Sequence, residues 1–286
     1  MPPHPDPAAV NFTATSHSDT YDFISKANHK SHTVFVSGAS KGIGRETALA
    51  FARAGAAAII VAARSELTSL ESEIRSISPS TRVVKVKLDV SAPEEVEAAA
   101  AHVKSHVSSI DILFNNAGYL ASFLPFTESD PDEWIKTWDV NVKGLYLVTR
   151  AFLPLVLASE LKTVINVSSI GAHLTRRGAS AYQTSKLAVL RLSEFMNSDY
   201  GEQGLLAYAI HPGAVATELG MNLPSEWHSI LVDKPQLCAD TVAWLTDEKR
   251  DWLAGRYISV NWDMQQLLAK KEDIVERDTL KMRLVI

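Results

Sequence analysis

From about residue 31 onward, short runs of apolar residues alternate with longer stretches in which apolar positions recur every three or four residues. A run of four to eight residues that is apolar throughout suits a strand buried on both faces, whereas a 3.6-residue recurrence suits a helix with one apolar stripe. The runs predict strands over 33–37, 58–63, 82–88, 110–114, 162–168, 205–210 and 256–261. The intervening stretches predict helices over 42–54, 65–77, 93–107, 131–158, 179–200 and 236–246, and Pro154 inside the fourth predicts a kink or an early end. Strands alternating with helices give a parallel sheet covered on both faces, so the expected class is α/β, one doubly wound sheet of about seven strands.

The ends of the chain follow other patterns. Residues 1–30, rich in Pro, His, Ser and Thr, read as a flexible arm, although Phe12, Tyr21, Phe23 and Ile24 could dock on the body. His4, His17, His29 and His32 lack metal-ligand spacing and read as solvated. Residues 31–263 form the expected catalytic domain, within which 211–235, with three prolines, is a candidate lid. In 264–286, Leu267, Leu268, Ile274 and Val275 recur at helical spacing among charges, as in a tail helix packed on the domain by one stripe.

Composition narrows the partners. With 286 residues, 46% of them apolar, one large core is within reach. A net charge of −5 offers no basic face, so nucleic acid and membrane surfaces are poor partners and a small molecule fits better. No stretch reads as a membrane span, and the opening MPPHPDPAAV lacks the basic and apolar regions of a secretory signal. The lone Cys238 excludes an internal disulfide and a zinc cluster, so no metal is expected and a reducing, cytoplasmic setting is the natural expectation.

The segment VFVSGASKGIGRETALAFARAG runs from the first predicted strand into a helix with GxxxGxG spacing. Glycines at such a turn let a ligand approach the backbone, and the helix start offers unpaired N–H groups to a pyrophosphate. This context points to a dinucleotide site over Gly38, Ser40, Lys41, Gly42, Ile43 and Gly44 rather than a turn without a ligand. Where a carboxylate would bind the ribose 2′-hydroxyl of NAD, the second strand ends in Ala62 and Ala63. Arg64 follows, and with Lys41 it can reach a 2′-phosphate, so NADP(H) is expected, the alternative being two solvated surface cations. Asp89, closing the third strand, can accept from an adenine amino group if Ser91 caps the next helix. Asn116, Ala117 and Gly118, after the fourth strand, would line the same crevice.

Taken in order, SGASKGIG (37–44), NNAG (115–118), NVKG (141–144), NVSS (166–169), YQTSK (182–186) and HPGAVAT (211–217) resemble the short-chain dehydrogenase/reductase family over about residues 32 to 262. The resemblance implies a single Rossmann-type domain, a nicotinamide cofactor and a tetrad of Asn141, Ser169, Tyr182 and Lys186. It also implies a homodimer or homotetramer paired through the 131–158 and 179–200 helices. NWDM, at 261–264, replaces the family's usual glycine pair after the last strand.

An i, i+4 spacing puts Tyr182 and Lys186 on one helix face. A phenol titrates near pH 10, and poising it near 7 takes roughly 4 kcal/mol of relative phenolate stabilisation. A cation about 4 Å away at an effective dielectric near 20 contributes on the order of 4 kcal/mol, so Lys186 alone nearly suffices. Tyr182 would give its proton to a carbonyl oxygen as hydride arrives from the nicotinamide, and Ser169 would hydrogen-bond that oxygen. Ser168 competes for this role; the family's serine-to-tyrosine separation favours Ser169. The resemblance assigns Lys186 to the nicotinamide ribose and Asn141 to a water in a proton relay. Pro212 shapes the turn after the sixth strand, where the Val215 backbone and Thr217 could contact the cofactor; a helix cap is the alternative for Thr217.

Candidate substrate walls are Tyr119, Leu120, Phe123, Leu124, His173, Leu174, Met221 and Trp227, mostly apolar, with Arg176 and Arg177 able to meet a carboxylate. A hydrophobic or aromatic carbonyl–alcohol pair is therefore the expected substrate, and His173 reads as a solvent-facing loop residue before a local acid or base. A non-redox enzyme on the same scaffold, such as an isomerase, dehydratase or cyclase, and a nucleotide-sensing module are the rival readings.

Overall fold

The structure, a computed structural model, describes residues 6 and 8–284. Its seven strands are β1 Thr33–Ser37, β2 Ala58–Ala63, β3 Arg82–Lys87, β4 Ile112–Asn115, β5 Thr163–Val167, β6 Leu206–His211 and β7 Tyr257–Ser259. They form one parallel sheet in the order β3-β2-β1-β4-β5-β6-β7. Alternation along β1 sends Val34 and Val36 to one face and Phe35 to the other, where it packs on Phe152 with ring centroids 4.4 Å apart. Both faces are therefore core, which is why the central strands read as unbroken apolar runs. β3 lies at an edge, and its burial alternates accordingly. The order reverses between β1 and β4, which opens a crevice at the carboxyl ends of the strands.

The helices flanking the sheet are α1 Gly42–Arg53, α2 Thr68–Ile77, α3 Pro93–Lys104, α4 Pro131–Trp138, α5 Leu145–Leu157, α6 Ser180–Tyr200 and α7 Pro235–Leu245. The predicted 131–158 helix is interrupted not at Pro154 but upstream, by a π-helical turn at Asp139–Gly144. Pro154 stays inside α5 because the carbonyl it leaves unbonded belongs to Arg150, an exposed residue that water can serve. Gly144 is required by packing: a Cβ there would lie 2.7 Å from Val90 Cγ2. One expectation is overturned along this run, since Pro131–Leu157 is long and apolar enough, by length and composition, to cross a membrane. In the fold its Val148, Phe152 and Val156 are buried in the core.

The arm is not loose. Residues 8–30 pack across the C-terminal segment, with Ile24 fully buried and Phe12 4.8 Å from the Trp262 ring. Ser16 pairs antiparallel with Trp262, and His17 N–H donates to Asn261 O at 2.8 Å. Docking wins over flexibility because Ala8, Phe12 and Ile24 find apolar partners while the polar residues between them bond through their backbone. The histidines are not simply solvated either. His29 is buried against Phe51, bonded to Ala243 O at 2.9 Å, with burial holding its pKa down to about 4. His17 contacts Asp263 at 2.9 Å, and His4 lies outside the described residues. NWDM serves this clasp: Trp262 Nε1 donates to Ala9 O, and Asn261 Nδ2 to His17 O. The tail makes two short helices, α8 Met264–Ala269 and α9 Lys271–Glu276, seated by Met264, Leu267 and Ile274, while Val275 is half exposed.

Candidate active site

A cleft of about 240 Å³ opens at the switch point between β1 and β4. Its floor is the glycine turn: Gly38 and Gly42 have φ of +65° and +57°, values that glycine adopts without strain. A Cβ on Gly44 would lie 2.5 Å from Gly38 O and from Asn116 Nδ2, so this glycine seats the turn against the strand rather than facing the cleft. Asn116 holds the turn from the other side, its Nδ2 donating to Ser37 O at 2.9 Å. α1 starts at Gly42 with no side-chain cap, which leaves its first N–H groups directed to the crevice. Ser40, Lys41, Ile43, Arg64, Asp89, Ala117, Gly118, Pro212 and Thr217 also line the cleft.

Among the sequence candidates, Gly44, Asn141, Ser169 and Val215 do not line this cleft. Val215 is buried and pairs with Asp233 at the base of the 211–235 segment. Thr217 faces the cleft and packs toward Gly42, and its hydroxyl accepts from Gly220 N–H at 3.1 Å at the start of the short turn Gly220–Asn222.

No acid stands at the end of β2. Arg64 extends there 71% exposed, its Nη1 3.9 Å from Asp89 Oδ2, while Lys41 is ion-paired to Glu218. Ser91 does not cap α3. Its N–H and hydroxyl instead donate to Asp89 Oδ1 at 2.9 and 2.7 Å, because the cap position falls to Ala92 with Pro93 opening the helix. Burial raises the Asp89 pKa, but these bonds and Arg64 outweigh it and hold the carboxyl below its ordinary range.

At the other end of the cleft, α6 presents Tyr182 and Lys186. The Tyr182 phenol lies beside Ser169, which favours its ionised form, yet burial dominates and pushes its pKa up to about 12. The expected poise near 7 from Lys186 alone is not found. The ammonium donates to Val167 O at 2.8 Å and sits 5.6 Å from the centroid of the Tyr182 ring, and burial lowers its own pKa to about 8. Ser169 is the serine beside the phenol; Ser168 is buried, donating to Lys186 O at 2.8 Å. Asn141, in the π-helical turn, uses both amide hydrogens on Tyr119 O and Ser185 Oγ and accepts from Tyr119 N–H. Its side chain thus clamps the loop after β4 to α6.

Some of the candidate substrate walls meet one another. Phe123 meets Trp227 edge-on at 5.5 Å, and the Arg176 guanidinium lies 4.6 Å over the Trp227 ring. Leu120 is buried, whereas Leu124 and Met221 are exposed. His173 is not solvent-facing: it stacks edge-on with Tyr257 at 4.4 Å, and burial lowers its pKa.

Residues 32–227 match the family model for short chain dehydrogenases. The chain belongs to the short-chain dehydrogenase family. It is 52% identical to the short chain dehydrogenase mpl6 of Monascus purpureus, over 99% of each chain, and 43% identical to pigC of Monascus ruber, over 98% of this chain and 95% of that one. Among solved structures, a short chain dehydrogenase of Escherichia coli CFT073 complexed with NADPH superposes with a TM-score of 0.74 at 26% identity, covering 82% of this chain and 98% of that one. One from Salmonella enterica serovar Typhi superposes at 0.73 with 28% identity, over 84% and 99%. In this family member the cleft also takes in Ser65, Lys136 and Glu218, which sequence reasoning missed. Ser65 and Glu218 directly follow Arg64 and Thr217, so adjacency was their only signal. Lys136 reaches the site through the fold, over the Tyr119 ring at 4.4 Å.

Proposed function

We propose that the chain is an NADP(H)-dependent oxidoreductase acting on a carbonyl or secondary alcohol of a mostly apolar small molecule. The observation that carries this reading is the placement of Arg64, with no acid at the end of β2, in the same cleft as Tyr182 and Lys186. The residues fit the cofactor. Gly38 and Gly42 keep the turn free of side chains, the open start of α1 suits a pyrophosphate, and Arg64 with Lys41 suits a 2′-phosphate. Bound there, the nicotinamide supplies the hydride. Tyr182 Oη holds the proton that the substrate oxygen takes up, and its raised pKa keeps that proton in place until negative charge develops. Ser169, beside the same phenol, would offer its hydroxyl to that oxygen. Lys186 places a cation 5.6 Å from the ring centroid and would hold the cofactor ribose, and Asn141 fixes the loop after β4.

The substrate side, with Phe123, Trp227 and Arg176, favours an aromatic or hydrophobic carbonyl compound. The test is NADPH absorbance during a screen of aromatic and aliphatic ketones and aldehydes with the matching alcohols. Cofactor oxidation by at least one carbonyl is expected. Cofactor binding with no redox change across the whole panel would favour a non-redox enzyme on this scaffold.

A further inference from the structure

Behind the turn that carries Ser169 lies a second, much smaller cavity of about 10 Å³, bordered by His173, Glu194, Ala209, Tyr257 and the tail residues Leu280 and Met282. Its apolar wall is ordinary; its polar wall is not. Among the described residues, His173 Nε2, Glu194 Oε1 and Tyr257 Oη are each buried without a hydrogen-bond partner. Buried polar groups are almost always satisfied, and three orphans on one cavity are a coincidence that a shared partner removes. The volume is near the smallest that accommodates a single water, and a buried water typically makes about three hydrogen bonds.

We propose that this cavity is a binding site for one structural water that bridges Tyr257 Oη, Glu194 Oε1 and His173 Nε2. The donors and acceptors balance. Tyr257 donates its hydroxyl proton to the water, and the water donates one proton to Glu194 Oε1 and the other to His173 Nε2, in the tautomer that carries its proton on Nδ1. Glu194 is held for this role from its other oxygen, Oε2, which accepts from Arg191 Nη1 at 3.2 Å and Arg283 Nη1 at 2.7 Å. Tyr257 is 4% exposed, and its N–H donates to Leu280 O at 2.8 Å, so the tail that closes the cavity is anchored to the same residue. Burial also favours the neutral imidazole that this arrangement needs. His173 ends the short turn Ile170–His173, whose Gly171 N–H donates to the capping Ser169 Oγ at 3.0 Å. The water therefore joins the Ser169 turn, α6 and the start of β7. It goes beyond the proposed hydride transfer and does not depend on it.

A high-resolution crystal structure of the full chain, with Tyr257→Phe thermal unfolding alongside, tests the site. One solvent peak is expected within about 2.7–3.2 Å of all three polar atoms. Deleting a water-bonded hydroxyl lowers the melting temperature of Tyr257→Phe, whereas deleting a truly unpartnered one leaves it unchanged or raises it. An empty cavity, a direct Tyr257–Glu194 bond, or a Tyr257→Phe protein that melts no lower than the parent overturns the proposal.

Discussion

At Tyr182 burial opposes ionisation, so the hydroxyl is a proton donor first, and its loss removes the proton assigned to the substrate oxygen in the proposed reaction. Tyr182→Phe should lower turnover of an accepted carbonyl substrate roughly 10²- to 10⁴-fold while NADPH affinity, followed by fluorescence titration, stays within a few-fold. Lys186 makes a separate claim. Its folded pKa is lowered from 10.5 to about 8, so between those values the unfolded chain binds more protons and stability rises with pH. From pH 8 to 10 the unfolding free energy of the parent should therefore gain roughly 2 kcal/mol over that of Lys186→Met in denaturant titrations. Arg64→Asp should move preference from NADPH toward NADH in the ratio of kcat/KM, and an unaltered ratio removes Arg64 from the 2′-phosphate site. Residue types and spacing announced Tyr182, Lys186, Ser169 and Arg64. They could not announce the raised phenol, because its environment is set by chain far away in sequence, nor the bond that ties Ser91 to Asp89.

Among the elements, the π-helical turn Asp139–Gly144 turns Asn141 inward, where it grips Tyr119 and Ser185. One extra residue per turn is a small local change that hydrophobic periodicity does not register, so the long predicted helix carried no sign of it. Gly144 lets this turn pass close to Val90, and a Cβ has nowhere to go. Gly144→Ala should destabilise the fold by about 1–3 kcal/mol in urea unfolding, despite alanine's better helix propensity. The docking of the arm was only half legible, signalled by Phe12, Tyr21, Phe23 and Ile24 but not by the segment as a whole. Its composition is that of a loose segment, and its hold on Asn261 and Trp262 runs largely through backbone groups that every residue possesses.

For the molecule as a whole, alternating strands and helices made the parallel class legible, whereas the order of the strands is a matter of crossover direction and not of pattern. α4, α5 and α6 leave Ile135, Tyr146, Leu187 and Phe195 exposed on their outer surfaces, which an apolar two-fold contact would cover. Light scattering should accordingly report twice or four times the 31.3 kDa chain mass, and Phe195→Glu with Tyr146→Glu should return it to the single-chain value. The clasp joins the arm to the residues after β7, with Trp262 bonded to Ala9 and His17 to Asn261. Trp262 is fully buried under this clasp, so deleting residues 8–17 should bring its indole to water and shift the tryptophan emission to longer wavelength.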